Sequence, residues 1–209
     1  MDQDLLARAA FIKEQKIKGI KDIILAYDSL TLVYDILDFD SNPYLYVNQL
    51  VANFIAEASN HNTLNSASRL IEVPVCYDPS LGIDLEAAAK IANCNIEALI
   101  QEHTAHIYTV YCLGFLPGFA YMGDVPKKIQ LPRHPQPRAT VVAGSVGIAG
   151  KQTGIYPMDS PGGWQIIGRT PIKIFDTIKL SLFKAGDQVK FNPIDLALFH
   201  ELNNQEDVH

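Results

Sequence analysis

Apolar positions fall first at helical spacing and then in short alternating runs. Leu5, Leu6, Ala9, Ile12 and Ile17 follow the helical period and predict an amphipathic first helix. Ile20–Tyr27 and Leu30–Ile36 are two extended apolar runs around Asp28-Ser29, a hairpin signal. A second helix follows, with Ser41 or Asn42 as its cap, Pro43 just inside, and a stripe of Tyr46, Val47, Leu50, Val51, Phe54, Ile55 and Ala58. Two strands between two helices make a marginal sheet, so a further strand is expected to join them.

After a polar linker from Asn60 to Ser68 the pattern becomes β-rich. Ile71–Tyr77 reads as a strand whose Pro74 places it at an edge or at the start of a sheet. Asp84 is positioned to cap a helix to Ala92, and Asn95 a second to about His103, before a strand over Ile107–Cys112. Short β runs then alternate with Gly and Pro turns: Thr140–Ala143, Ser145–Ala149, Ile155-Tyr156, Trp164–Ile167 and Ile172–Phe175. That is the signature of an antiparallel barrel or sandwich. The turn at Lys184–Asp187 leads into a strand over Gln188–Phe191, and a closing helix is expected near Pro193. The fold class expected is α+β, with a small α/β domain over 1–68 and a β-barrel domain over 69–209.

Composition excludes several classes. The 209 residues are 48% apolar and 19% charged, which is globular rather than disordered. A net charge of −6 disfavours nucleic acid as partner, and neither a membrane span nor a signal peptide is evident, so a cytoplasmic location is expected. Cys76, Cys94 and Cys112 form no CxxC pair and read as reduced core thiols. The average hides an uneven distribution. Gly114–Pro171 holds ten of the 13 glycines and eight of the 12 prolines, and its six basic against two acidic residues make it +4, leaving −10 elsewhere.

Within it, GSVGIAGKQTGIYP (Gly144–Pro157) fails as a P-loop, with Ser145 where Gly is needed and Gln152 where Ser or Thr is needed. No helix follows for a dinucleotide fingerprint. Arg138 and Arg169 suit a carboxylate or phosphate, with Gln152, Ser145, Ser160 and Tyr156 as neutral partners. Such a set fits a pocket for a small anion; tight β turns with surface arginines fit the same composition. His103 and His106 lack the rest of a zinc set, so no metal site is expected. His134, between Pro132 and Pro135, reads more readily as a solvated loop histidine, Trp164 as core, and no Gly-x-Ser-x-Gly elbow occurs.

GFLPGFAYMG (Gly114–Gly123), PQPR (Pro135–Arg138), AGSVGIAGKQTGIYP (Ala143–Pro157), SPGGW (Ser160–Trp164) and IGRTP (Ile167–Pro171) together resemble the PxpB family, also called allophanate hydrolase subunit 1, which includes the kinase inhibitor KipI. The resemblance implies a cyclophilin-like barrel and a subunit of ATP-dependent 5-oxoprolinase, which opens the lactam of 5-oxoproline to glutamate with PxpA-like and PxpC-like partners. It implies ATP with Mg2+, no attached biotin, and Arg138, Ser145, Gln152, Thr153, Tyr156, Ser160, Gly162, Trp164 and Arg169 as the substrate or nucleotide set. Two other activities share the motifs: KipI-like inhibition of a sensor histidine kinase, and carboxyltransferase-like action on urea or allophanate. Family members commonly carry Val-Pro-Ala-Gly where this chain has Val141-Val142-Ala143-Gly144, and usually begin with a strand-bearing segment ahead of the first helix. Without that segment the hairpin would expose an edge open to association.

Overall fold

The computed structural model describes residues 3–26, 28–39, 42–58 and 68–206, in two compact units, 1–67 and 68–209. Tyr27, the alternative cap Ser41, the linker at 60–67 and the side chains of Phe54, Ile55 and Ala58 lie outside the described residues. No helix among the described residues is long and apolar enough to cross a membrane.

The first unit follows the predicted order: α1 (Gln3–Glu14), β1 (Ile20–Leu25), β2 (Leu30–Tyr34) and α2 (Pro43–Ala58). Leu6 and Ile12 of α1 are buried, and β1 pairs β2 antiparallel through Ile24↔Thr31 and Leu25↔Leu30. Asn42 is the α2 cap, its Oδ1 accepting from the Tyr44 N–H at 3.1 Å. The second apolar run ends sooner than its pattern predicts, because Asp35 accepts from the Leu37 N–H at 3.0 Å and caps a 3₁₀ turn over Ile36–Asp38.

The second unit runs β3 (Leu70–Cys76), α3 (Leu85–Ile91), α4 (Ile96–Ala105), β4 (Ile107–Leu113), β5 (Ala120–Gly123), β6 (Arg138–Val141), β7 (Ser145–Ala149), β8 (Gln152–Ile155), β9 (Ser160–Gly162), β10 (Gln165–Arg169), β11 (Phe175–Asp176), β12 (Leu180–Ser181), β13 (Gln188–Ile194) and α5 (Leu196–Glu206). Seven strands close a barrel in the order β10-β3-β13-β4-β5-β8-β7. Every neighbouring pair is antiparallel except β3 and β13, which run parallel from Leu70↔Gln188 to Cys76↔Ile194. A parallel pair needs a long connection, and here the whole barrel lies between its strands. Pro74 is tolerated because β10 meets β3 only at Cys76, leaving ladder on one side of the proline. Pro193 belongs to β13 rather than starting the last helix, which Asp195 caps by accepting from the Leu198 N–H at 2.8 Å.

Inward positions at period two fill the barrel with Val73, Val75, Val110, Met122, Val146, Ile148, Val189 and Phe191, and α4 closes it with Leu99 and His103. His103 is fully buried, and its neighbours fix its state. Thr153 Oγ1 donates to the Gly147 carbonyl at 3.0 Å, so it accepts from His103 Nε2–H at 2.9 Å. Nδ1 is then the acceptor for the Tyr77 hydroxyl at 2.8 Å. Burial, with the nearby His106 adding to it, lowers the His103 pKa from 6.5 to about 3 and keeps the ring neutral.

This buried chain makes the fold acid-sensitive. Between pH 6.5 and about 3 the unfolded chain binds the His103 proton and the folded one does not. Its contribution to stability is therefore complete above pH 6.5 and is lost as pH falls toward 3, at up to about 1.4 kcal/mol per pH unit. Urea unfolding from pH 7 to 4 should show that slope in the native chain and a shallower one in His103→Gln, whose amide does not titrate; equal slopes would place the acid sensitivity elsewhere.

Candidate functional site

Outside the barrel interior, Phe119, Val141, Ala149, Tyr156, Trp164 and Ile166 form a second buried apolar cluster. Its aromatic members meet edge to face: Phe119 lies 5.3 Å from both Tyr156 and Trp164, at 79° and 89°. A cleft of about 310 Å³ opens over this wall, lined by Phe115, Phe119, Tyr121, Arg133, His134, Pro137, Tyr156, Pro161, Gly162, Gly163 and Trp164.

Four segments build it. The turn before β5 and β5 itself supply the phenylalanines and Tyr121. Phe115 is 60% exposed at φ +70°, so a large apolar side chain stands in solvent on a backbone conformation that disfavours it. The end of β8 supplies Tyr156. The β9–β10 turn supplies Gly162, Gly163 and Trp164. Gly162 is required there, since a Cβ would lie 2.4 Å from the Tyr156 hydroxyl. The proline-rich loop before β6 supplies Arg133 and His134, and the Arg133 guanidinium stands 5.9 Å from the Trp164 ring centroid. Arg133 is the charged side chain of the lining, with the His134 imidazole beside it; no acidic residue is among the lining residues. Burial raises the Tyr156 pKa against the opposing pull of the Trp164 N–H, Arg133 and Arg138, which leaves a protonated phenol facing the cleft. Burial likewise raises that of Tyr121.

A carboxylate lies behind the wall. Asp84 is 5% exposed; its Oδ2 accepts from the Ile166 N–H at 2.7 Å, its Oδ1 accepts from Arg138 Nη2, and His134 Nε2 stands 3.3 Å from Oδ2. The predicted cap is therefore corrected. Asp84 holds the position before α3 but makes no side-chain cap bond, because its oxygens are taken by the charged Arg138 of β6 and the Ile166 N–H of β10.

The residues expected from the sequence separate into groups. Tyr156, Gly162 and Trp164 line the cleft. Thr153 is fully buried in the barrel, bonded to His103 and Gly147, and so is a core residue. Ser145 is buried in β7 opposite Arg169, and Gln152 stands opposite Ala149 at the β7–β8 turn, both outside the cleft lining. Arg138 is directed to Asp84, while Arg169 Nε donates to the Ala143 carbonyl at 2.8 Å, so the two arginines do not converge as an anion clamp. Ser160 is buried with no hydrogen-bond partner for its hydroxyl among the described residues. His134 is part of the cleft rather than a solvated loop histidine. Its signal in the sequence was the run of flanking prolines, which fixes a loop instead of leaving it mobile.

Comparison with known proteins places this geometry in a family. Residues 1–182 match the carboxyltransferase domain, subdomain C and D. The chain is 42% identical over 203 residues to the 5-oxoprolinase B subunit of Bacillus subtilis strain 168, covering 93% of this chain and 84% of that protein. Among solved structures, the conserved uncharacterized protein PH0987 of Pyrococcus horikoshii is 38% identical at a TM-score of 0.60, with 93% of this chain and 88% of that one covered. TTHA0988 is 33% identical at a TM-score of 0.74 over 92% of this chain, which spans 36% of that longer protein. With the match running through all but the last 27 of 209 residues and 5-oxoprolinase relatives at that identity, the chain belongs to the carboxyltransferase subdomain C and D family, as a relative of the 5-oxoprolinase B subunit.

Proposed function

We propose that this chain is the PxpB-type component of an ATP-dependent 5-oxoprolinase and opens the lactam of 5-oxoproline to L-glutamate together with PxpA-like and PxpC-like subunits. The observation that carries this reading is the cleft: an aromatic wall with the Arg133 cation and the His134 imidazole, and no carboxylate, among its lining side chains. A small flat ring bearing one carboxylate suits it. The ring packs on Trp164, Arg133 takes the carboxylate, and the protonated Tyr156 phenol is a donor for the amide oxygen. Its volume of about 310 Å³ is at the small end of ligand sites.

Among the described residues, the glycine-rich strand does not form a triphosphate cradle. β7, in the middle of the glycine-rich segment, is buried throughout and laddered to β8 and β10, so its amides are committed to the barrel. Among the described residues no group of three His, Cys, Asp or Glu side chains could hold a metal. In this reading ATP and its Mg2+ are met outside the cleft, with the partner subunits, and this chain's part is to bind, orient and desolvate the lactam.

Glutamate formation from 5-oxoproline and ATP, with this chain and both partner subunits present, is the direct test. Omission of this chain should abolish it, and turnover without the chain overturns the assignment. Arg133→Met should raise the KM for 5-oxoproline about ten- to a hundredfold, the loss of a charged hydrogen bond, with little change in Tm. Gly162→Ala displaces Tyr156 and should both weaken substrate binding and destabilise by about 1–3 kcal/mol; an unaltered KM in both variants would move the substrate out of this cleft.

A further inference from the structure

Asp84 forgoes a helix-cap bond, and its carboxylate instead accepts from the Arg138 guanidinium and the Ile166 N–H. His134 is fixed opposite. Its backbone N–H donates to the Gly163 carbonyl at 2.7 Å, and Gln165 Nε2 donates to the Pro132 carbonyl at 3.0 Å, so the loop is tied to the β9–β10 turn on both sides of the ring. His134 Nε2 lies 3.3 Å from Asp84 Oδ2, a close approach that falls short of an aligned hydrogen bond, while the Ile166 N–H donates to the same oxygen at 2.7 Å. A carboxylate at that edge places the imidazole proton on Nε2. Nδ1 then carries the lone pair, and it makes no hydrogen bond among the described residues. His134 is one of the residues lining the cleft.

We propose that Asp84 is a positioning residue: it holds His134 as the Nε2–H tautomer, so that Nδ1 accepts a hydrogen bond from the ring N–H of a cyclic amide lying against Trp164. The Nδ1 half deepens the reading of the cleft as the lactam site and rests on it; the Asp84–His134 half stands on the geometry alone. The consequence is selectivity. A lactam presents an N–H to Nδ1, whereas the lactone of the same ring and carboxylate sets an oxygen lone pair against a nitrogen lone pair. Sites built to bond an N–H reject near-isosteric analogues that lack it.

Long-range proton–nitrogen spectra of the imidazoles in the full chain, at about pH 8 where an ordinary histidine is neutral, read the tautomer directly. The native protein should show His134 protonated at Nε2. Asp84→Asn should lose that preference, because an amide cannot accept from every donor around it. His134→Phe leaves the Asp84 bonds to Arg138 and Ile166 in place, and so tests the ligand side even where Asp84→Asn fails to fold. In the reconstituted complex it should lower 5-oxoproline affinity about tenfold, one hydrogen bond, without lowering affinity for the lactone. A native His134 protonated at Nδ1, an Asp84→Asn variant with the native tautomer, or equal native affinities for lactam and lactone would each overturn the proposal. Binding of neither compound would instead remove the 5-oxoproline reading, and the tautomer spectrum would still decide the role of Asp84.

Discussion

Asp84 brings three distant parts of the chain to one buried carboxylate: the Ile166 amide of β10, the Arg138 guanidinium of β6 and the His134 ring of the loop before it. Two of these segments carry the cleft, so its wall and its rim are fixed to the same group. Such a pair is weak evidence for stability as a whole, since its desolvation offsets much of its attraction, but loss of one partner leaves a buried charge and costs about 3–5 kcal/mol. The arrangement therefore imposes geometry more than it adds free energy. The His103 chain does the same inside the barrel, where Tyr77, His103, Thr153 and Gly147 link the end of β3 and α4 to β7 and β8 through bonds that admit one tautomer.

Glycine density acquires a physical meaning from this packing. Gly147 sits in β7 where a Cβ would come within 3.1 Å of the Trp164 Cβ, and one on Gly154 would lie 2.8 Å from the Ala120 carbonyl. One on Gly162 would strike the Tyr156 hydroxyl. These glycines make room for three aromatic rings on the outside of a closed barrel, where a Cβ would meet neighbouring side chains or backbone. The segment's +4 charge is likewise partly internal. Arg138 is paired with Asp84 and Arg169 bonds a backbone carbonyl, so the arginine that lines the cleft is Arg133, with the His134 imidazole beside it.

Local signals explain what was legible in the sequence. The helices and their caps at Asn42 and Asn95 followed from periodicity and short polar side chains, and the hairpin from its two apolar runs. The five motifs gave the family, which the matched relatives bear out. Closure into a barrel through a parallel pair of strands more than a hundred residues apart leaves no local trace, and β5 was hidden within a glycine- and aromatic-rich motif. The site was half legible. Tyr156, Gly162 and Trp164 are chemically distinctive within the motifs and line the candidate cleft; Thr153, Ser145 and Gln152 belong to the same motifs but stand in the barrel strands, outside that lining. Asp84 was missed because its position matches a cap, and only tertiary structure shows that β10 and β6 compete for its oxygens.

The account stands on coupling between Asp84 and the groups it holds, and a double-mutant cycle measures this most directly. Urea unfolding of the native chain, Asp84→Ala, Arg138→Met and the double variant should give a coupling energy of about 2 kcal/mol or more, with the double variant more stable than the sum of the single losses requires. A coupling energy near zero would mean that Asp84 and Arg138 act independently, and that the cleft is not organised by this carboxylate.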